Sequence, residues 1–364
     1  MATGGPERLS PARPRPALWL LPALAAMVCG AFLIVALAAT PPQNAIFVDW
    51  TTYSLGSERV LDGQSLYLPE QLAGPYHLPD VTPQGYVYPP PSAVLFVPFS
   101  YGQVGLALWL ILNLGLLFSG LAAVVRREFR QLRPVPLALV FIGLLIIIPV
   151  PGTVLAPFPN GVLTANVNVA LAGLLAWCWA VGSRRGWIPY VAGVVGTFKI
   201  FPGALALWAV RRDGWRALAI AIGVAAAIVV VTLPLVGISE WSAFFRALSN
   251  AEPTCDGGRS SIACLALPLI GSSLAKILGL VVGGVLLLLA LRARGEFMAF
   301  VLLTAGMLAA VEDGHSHYLL FGYVLLVIGL CRLRVRRGLP TQAPDAMIPS
   351  MGSGAPAGTR TAAG

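Results

Sequence analysis
Along the chain, long apolar runs alternate with short polar or charged stretches. The runs cover residues 17–39, 104–125, 134–150, 162–181, 215–236, 273–291, 297–311 and 318–331. They are apolar all round rather than along one stripe, so they predict helices with lipid or other protein on every side. Several are short for a hydrocarbon core about 30 Å thick at about 1.5 Å rise per residue, which leaves their boundaries soft. The fold class predicted is all-α, a polytopic transmembrane helix bundle of about 8 full spans. The first run follows Arg8, Arg13 and Arg15, and small residues near Ala38 also admit a cleaved signal peptide. Its 23 apolar residues exceed the roughly 7–15 of a signal core, which favours a retained helix.

Composition removes whole classes of function. Of 364 residues, 57% are hydrophobic and only 11% charged, and the mean hydropathy is +0.80. One buried core cannot account for that value, so a soluble enzyme, a nucleic-acid-binding module and a disordered chain are excluded. The net charge of +9 would elsewhere suggest a polyanionic partner; here its placement is an orientation signal. Basic clusters at 8–15, 126–133, 183–185, 211–216, 292–294 and 332–337, with Arg360, hold 19 of the 24 Lys and Arg residues. All can face the cytoplasm at once. Residues 40–103 carry five acids against Arg59 alone, and residues 237–272 carry three acids and two arginines. Both segments then fall outside, and both termini fall in the cytoplasm of a multi-pass plasma-membrane protein.

This arrangement leaves only residues 187–210 between two cytoplasmic clusters, too few to cross twice as full helices. They can instead form a broken-helix hairpin, entering and returning with Lys199-Ile200-Phe201-Pro202 at the turn. The alternative is one ordinary span with Arg211 and Arg212 outside, which breaks the charge rule for everything downstream. Cys255 and Cys264 flank a short polar loop on the outer side, where an oxidising compartment permits a disulfide. Cys29, Cys178 and Cys331 sit in apolar runs as small core residues. Residues 338–364, rich in Pro, Ala, Gly, Ser and Thr, read as a disordered cytoplasmic tail, and residues 1–16 as a cytoplasmic arm.

The chemistry-bearing residues gather on one side. The outer loop after the first run opens Phe47-Val48-Asp49-Trp50 and continues for about sixty residues, far beyond an ordinary connection. Its aromatics and prolines suggest a roof over a cavity, with Asp49 near the interface; the alternative is one solvated loop acid among five. The second cluster is Glu312-Asp313-Gly314-His315-Ser316-His317-Tyr318. Its histidines stand at i and i+2, which does not place two ligands on one helical face, so no metal site is assigned. Proton transfer or phosphate binding at a cavity rim suits His317, with an interfacial hydrogen-bonding role as the alternative. Lys199 is the third candidate. It is the one charge in the middle of an apolar run, where desolvation demands a partner, and a phosphate is a natural one.

The order of these residues resembles the bacterial polyprenyl-phosphate-dependent glycosyltransferases of the C superfamily. The branch it is most similar to comprises the actinobacterial alpha-mannosyltransferases that build phosphatidylinositol mannosides and lipomannans. The resemblance rests on Asp49 with Tyr53 after the first run, Asp62-Gly63 with Leu66-Tyr67, and Tyr86-Val87-Tyr88-Pro89-Pro90 entering the second helix. It continues through Asn166-Val167-Asn168, Lys199-Ile200-Phe201-Pro202 followed by Arg211 and Arg212, and His317-Tyr318. Many relatives have Gly-Gln before the asparagine where this chain has Ala165-Asn166-Val167-Asn168, so Asn168 alone carries over there.

The resemblance implies a membrane glycosyltransferase domain over residues 17–337 and an enzyme that moves mannose from a polyprenyl-phosphate donor to a lipid or glycan acceptor on the outer side. Asp49 is then the general base of an inverting transfer, and Lys199 and His317 meet the leaving phosphate with His315 in reserve. His317 assisting proton removal is the variant of this scheme. Tyr53, Tyr86 and Tyr88 would line sugar subsites, although packing of the loop explains them nearly as well. The implied partners are the donor, the acceptor and membrane lipid; neither nucleic acid, nucleotide sugar nor organic cofactor is expected, and a divalent metal is left open. A transporter or flippase for a polyprenyl-linked or glycolipid substrate is the competing class, and it predicts ionisable groups inside several spans and a repeat relating two halves. A non-catalytic assembly subunit is the third, and it predicts that Asp49→Asn is silent.

Overall fold
In a computed structural model of the chain, residues 46–128, 157–181, 186–255, 261–311 and 315–336 are described. The expected spans at 17–39 and 134–150, Cys29, the Arg184 and Arg185 pair, Glu312 to Gly314 and the tail lie outside these residues. The described architecture is a helix bundle. Its α-helices of seven residues or more are α1 (Val48–Leu61), α2 (Pro90–Phe96), α3 (Gly102–Glu128), α4 (Pro157–Leu163) and α5 (Asn168–Val181). They continue with α6 (Ile188–Phe198), α7 (Leu205–Asp213), α8 (Trp215–Val236), α9 (Ser239–Asn250) and α10 (Ile262–Ile270). The last three are α11 (Ser272–Arg292), α12 (Glu296–Ala309) and α13 (Leu320–Arg336). Two two-residue strands, β1 (Tyr76–His77) and β2 (Ala251–Glu252), pair in parallel with Tyr76 opposite Ala251.

Among the described residues three helices, α3, α8 and α11, are long and apolar enough to cross a membrane by length and composition. The apolar runs are in part subdivided. The run at 162–181, read from sequence as one helix, is cut by a turn between Leu163 and Asn168, and α5 keeps 14 residues. Fourteen residues rise only about 21 Å. The outward faces of the long helices are lined with apolar side chains, such as Val231 of α8 at 74% exposure, which suit a hydrocarbon surrounding.

Close crossings depend on small residues, as hydrocarbon supplies no hydrophobic drive between helices. Gly120 of α3 lies against the Gly173 carbonyl of α5, and Gly173 in turn lies against the main chain of Leu116. Gly283 of α11 meets the carbonyl of Gly306 in α12. Helix α6 stops at Lys199, whose backbone is extended (φ −140°, ψ 134°). After a 3-10 turn at Phe201–Ala204, α7 packs back on α6, with Gly196 close to the Cα of Gly203. Helices of 11 and 9 residues that fold back on each other form the hairpin expected at 187–210.

The two ends of the bundle differ in chemistry. At one end Arg127 donates to Glu296 (3.2 Å) and to the carbonyl of Trp179, while the Trp179 indole donates to Glu128 (3.0 Å). Arg211 donates to the carbonyls of Ala290 (2.5 Å) and Ala293 (2.6 Å) at the end of α11, and the Arg332 guanidinium lies 5.5 Å from the Trp179 ring. Three basic clusters therefore send members to one end, where the main chain of the 292–294 segment also lies. At the other end the two acid-rich loops are tied together. Glu240 accepts from the Leu66 amide (3.0 Å), Asn250 donates to the Gln71 carbonyl (3.0 Å), and His77 pairs with Glu252 (3.1 Å). Cys255 and Cys264 are joined by a disulfide with Cα atoms 5.5 Å apart.

Candidate functional site
The site is built on the turn that interrupts the 162–181 run. Ala165 holds a left-handed backbone (φ 55°), rare for a residue with a Cβ, and its carbonyl accepts from the Trp109 indole (2.8 Å). The start of helix α1 docks on this turn through its main chain. Phe47, also left-handed (φ 60°), donates to the Leu163 carbonyl (2.7 Å), and the amides of Asp49 (3.1 Å) and Trp50 (3.4 Å) both donate to Thr164. Those amides lack an intrahelical acceptor at a helix start, so the turn stands in for a side-chain cap. The docking sets Asp49 beside Asn166, whose Nδ2 donates to Asp49 Oδ2 at 2.9 Å.

A polar chain runs on from there. Asn166 Oδ1 accepts from the Asn168 amide (2.8 Å), and Asn168 Oδ1 accepts from Lys199 Nζ (3.2 Å). An ammonium only donates, so Asn168 must turn its oxygen toward Lys199 and its NH2 away. That NH2 is buried and has no hydrogen-bond partner among the described residues. Lys199 is itself buried, with its ammonium 5.0 Å from the Tyr318 ring centre and 5.3 Å from that of Tyr88. Aromatic faces attract a cation and offset part of its desolvation. The hairpin break puts Lys199 here, because the extended residue ends α6 and turns its side chain toward the start of α5.

His317 lies in the connection before α13, buried, its ring stacked on His315 (5.3 Å between centres) and tilted against Tyr318 (4.8 Å). Burial first, then His315 and Lys199, hold it well below the ordinary imidazole range, so it rests neutral. The Tyr53 hydroxyl donates to the Tyr88 hydroxyl (3.1 Å) and accepts from the Val167 amide (3.4 Å). Burial and then the Asp49 charge raise Tyr53 well above the ordinary phenol range; burial, Tyr53 and Asp49 do the same to Tyr88. Both stay protonated as donors.

Asp49, Tyr53, Tyr88, Asn168, Lys199, His317 and His315 thus form one connected cluster. Tyr86 does not join its polar chain. Its hydroxyl pairs with Ser92 (2.5 Å) and its ring fills the space over Gly56, a packing role. The sequence reading carried over Asn168 but gave Asn166 no role, and it treated Tyr318 only as part of a motif; the available signal for Asn166 was the i, i+2 pair of asparagines. A cavity of about 160 Å³ lined by Gly63, Ser65, Leu235 and Glu240 lies at the opposite end of α1 from Asp49 and is separate from the cluster. Among the described residues no group of three His, Cys, Asp or Glu side chains converges.

A carboxylate, a buried ammonium, a neutral imidazole and an unsatisfied amide in one cluster can accept a proton at one end and neutralise an oxyanion at the other. No solved structure matches the chain. The chain is 30% identical over 214 residues to the polyprenol-phosphate-mannose-dependent alpha-(1-2)-phosphatidylinositol mannoside mannosyltransferase of Mycobacterium tuberculosis. The alignment takes in 56% of this chain and 48% of that protein, so about half of the relative's length is spanned. Residues 86–311, more than half of the chain, match glycosyltransferase family 87, and the chain belongs to that family.

Proposed function
We propose that the protein transfers mannose from a polyprenyl-phosphate donor to a lipid or glycan acceptor at the outer face of the plasma membrane, with inversion. The observation that carries this is the hydrogen-bonded connection from the Asp49 carboxylate through Asn166 and Asn168 to the Lys199 ammonium. The relative's name specifies such a donor and a phosphatidylinositol mannoside acceptor, and a glycolipid acceptor of that kind fits here. Both ends of the connection have work to do in the reaction. Asp49 takes the proton of the acceptor hydroxyl as its oxygen bonds to the anomeric carbon. The bond from that carbon to the phosphate oxygen breaks, and its electron pair leaves with the polyprenyl phosphate. Lys199, the free NH2 of Asn168 and His317 meet the departing phosphate, while Tyr53 and Tyr88 present hydroxyls to the sugar. One displacement of this kind inverts the anomeric centre.

Sidedness follows the charge distribution. The Arg127, Arg211 and Arg332 end faces the cytoplasm, the end with the tied acidic loops faces out, and both termini are cytoplasmic. A transporter needs charged groups along several spans, whereas here the ionisable candidates crowd one level of the bundle.

The deciding experiment is transfer of radiolabelled mannose from polyprenyl-phosphate-mannose to membrane lipids by wild type and Asp49→Asn. The expected loss is about 10²–10⁴-fold in kcat. Equal labelling by both proteins refutes Asp49 as the base, and labelling no greater than in membranes lacking the protein refutes the enzyme reading.

A further inference from the structure
Asn166 sits where two explanations compete. Its side-chain oxygen accepts from the Asn168 amide at the first residue of α5, an ordinary turn contact to the amide two residues on that Ser or Asp makes as well. Its amide nitrogen, in contrast, donates to Asp49 Oδ2. Ser is too short to reach in the same way, and an ionised Asp has no proton to give. The residue is 2% exposed, so bulk water does not replace the bond if it is lost. The consequence for the carboxylate is geometric. With one lone pair of Oδ2 held by a donor, Oδ1 is the less encumbered oxygen to receive a proton.

We propose that Asn166 is a positioning residue: it clamps one oxygen of Asp49, aims the other at the acceptor hydroxyl, and couples the base to the phosphate-binding Lys199 through Asn168. This rests on the reading of Asp49 as base. The clamp is pre-set by backbone, because Ala165 is held left-handed immediately before it while Thr164 accepts from Asp49's own amide. Carboxylate and amide are therefore anchored to the same turn. A base whose orientation drifts loses near-attack geometry without losing substrate affinity.

The pair Asn166→Ser and Asn166→Asp separates clamp from cap, because both retain a helix-start acceptor. In the purified full-length protein, kcat for mannosyl transfer should fall about 10²-fold in Asn166→Ser while KM for the donor stays near wild type. In Asn166→Asp two carboxylates face each other and share a proton, so the acid limb of the kcat profile should move to higher pH by about one unit or more. The titratable groups that feel the Asp49 charge are Tyr53 of α1 and Tyr88 ahead of α2, and the rest of the cluster adds Lys199 at the end of α6 and His315, His317 and Tyr318 ahead of α13. All of these are unchanged in both variants. Wild-type kcat and pH profile in either variant overturn the proposal, since a cap alone is then sufficient. If Asn166→Ser does not fold, Asn166→Asp decides, as Asp keeps the acceptor for the amide two residues on. Asp49→Asn assayed in parallel separates the two levels. Its inactivity beside an unaffected Asn166 pair refutes only the clamp, and its full activity refutes the base assignment and the clamp with it.

Discussion

Lys199 shows what a single charge inside an apolar bundle requires. Its ammonium is buried at the break between α6 and α7, and it donates to Asn168 while facing the rings of Tyr88 and Tyr318. Such neighbours make the cation tolerable and leave it able to attract an anion. Lys199→Gln keeps a donor of similar length and removes the charge; transfer should drop about 10²-fold, comparable to loss of one oxyanion donor. Kinetics at saturating acceptor check this, and wild-type turnover in Lys199→Gln excludes a phosphate role for the charge. Lys199 was conspicuous from sequence because charge within an apolar run is costly wherever the run folds. Asn166 was not, since an asparagine near a helix start is ordinary and only its contact with a residue 117 positions away gives it a role.

At the scale of elements, the helices are fixed to one another by glycine crossings and interrupted where the site needs backbone freedom. Gly173 leaves no room for a Cβ against the main chain of Leu116, and main chain cannot swing aside as a side-chain tip can. Gly173→Ala should therefore destabilise by about 1–3 kcal/mol or more. Gly115 on α3 has nothing within 4 Å of an added Cβ, so Gly115→Ala should be neutral or stabilising by about 0.5–1 kcal/mol. Thermal unfolding of both variants in one detergent gives the comparison, and a similar Tm for the two contradicts the crossing. The hairpin at 187–210 was legible from charge placement, because two basic clusters on one side leave too few residues for two crossings. The division of the 162–181 run was not. Its residues are apolar or small apart from Asn166 and Asn168, which do not by themselves mark a break, and only the docking of α1 on Thr164 and Leu163 makes a turn there worth its left-handed alanine.

For the whole molecule, the separation of charge between the ends predicts sidedness. Asp62 is exposed beyond α1 at the acidic end, and Arg294 is exposed beyond α11 at the basic end. In a background with Cys29, Cys178 and Cys331 replaced by Ala, Asp62→Cys should react with a membrane-impermeant maleimide in intact cells. Arg294→Cys should react only after permeabilisation. The reverse pattern inverts the protein in the membrane and places Asp49 on the cytoplasmic side. The ties between the loops at 40–103 and 237–272, through Glu240, Asn250 and the β1–β2 pair, carry the two segments to one end, as their shared acidity anticipated.

The amino-acid sequence by itself determined that this is a helical membrane protein and which segments carry its basic and acidic ends, and it singled out Asp49, Lys199 and His317 as the candidates for chemistry. Those conclusions depend on hydrophobicity and charge, which act residue by residue and need no partner to be read. The tertiary structure decided how the three are connected, that Tyr86 packs instead of joining them, and that Asn166 stands between the carboxylate and the ammonium. Such facts are contacts between segments far apart in the chain, set by how helices cross and where they break, and no local pattern encodes them.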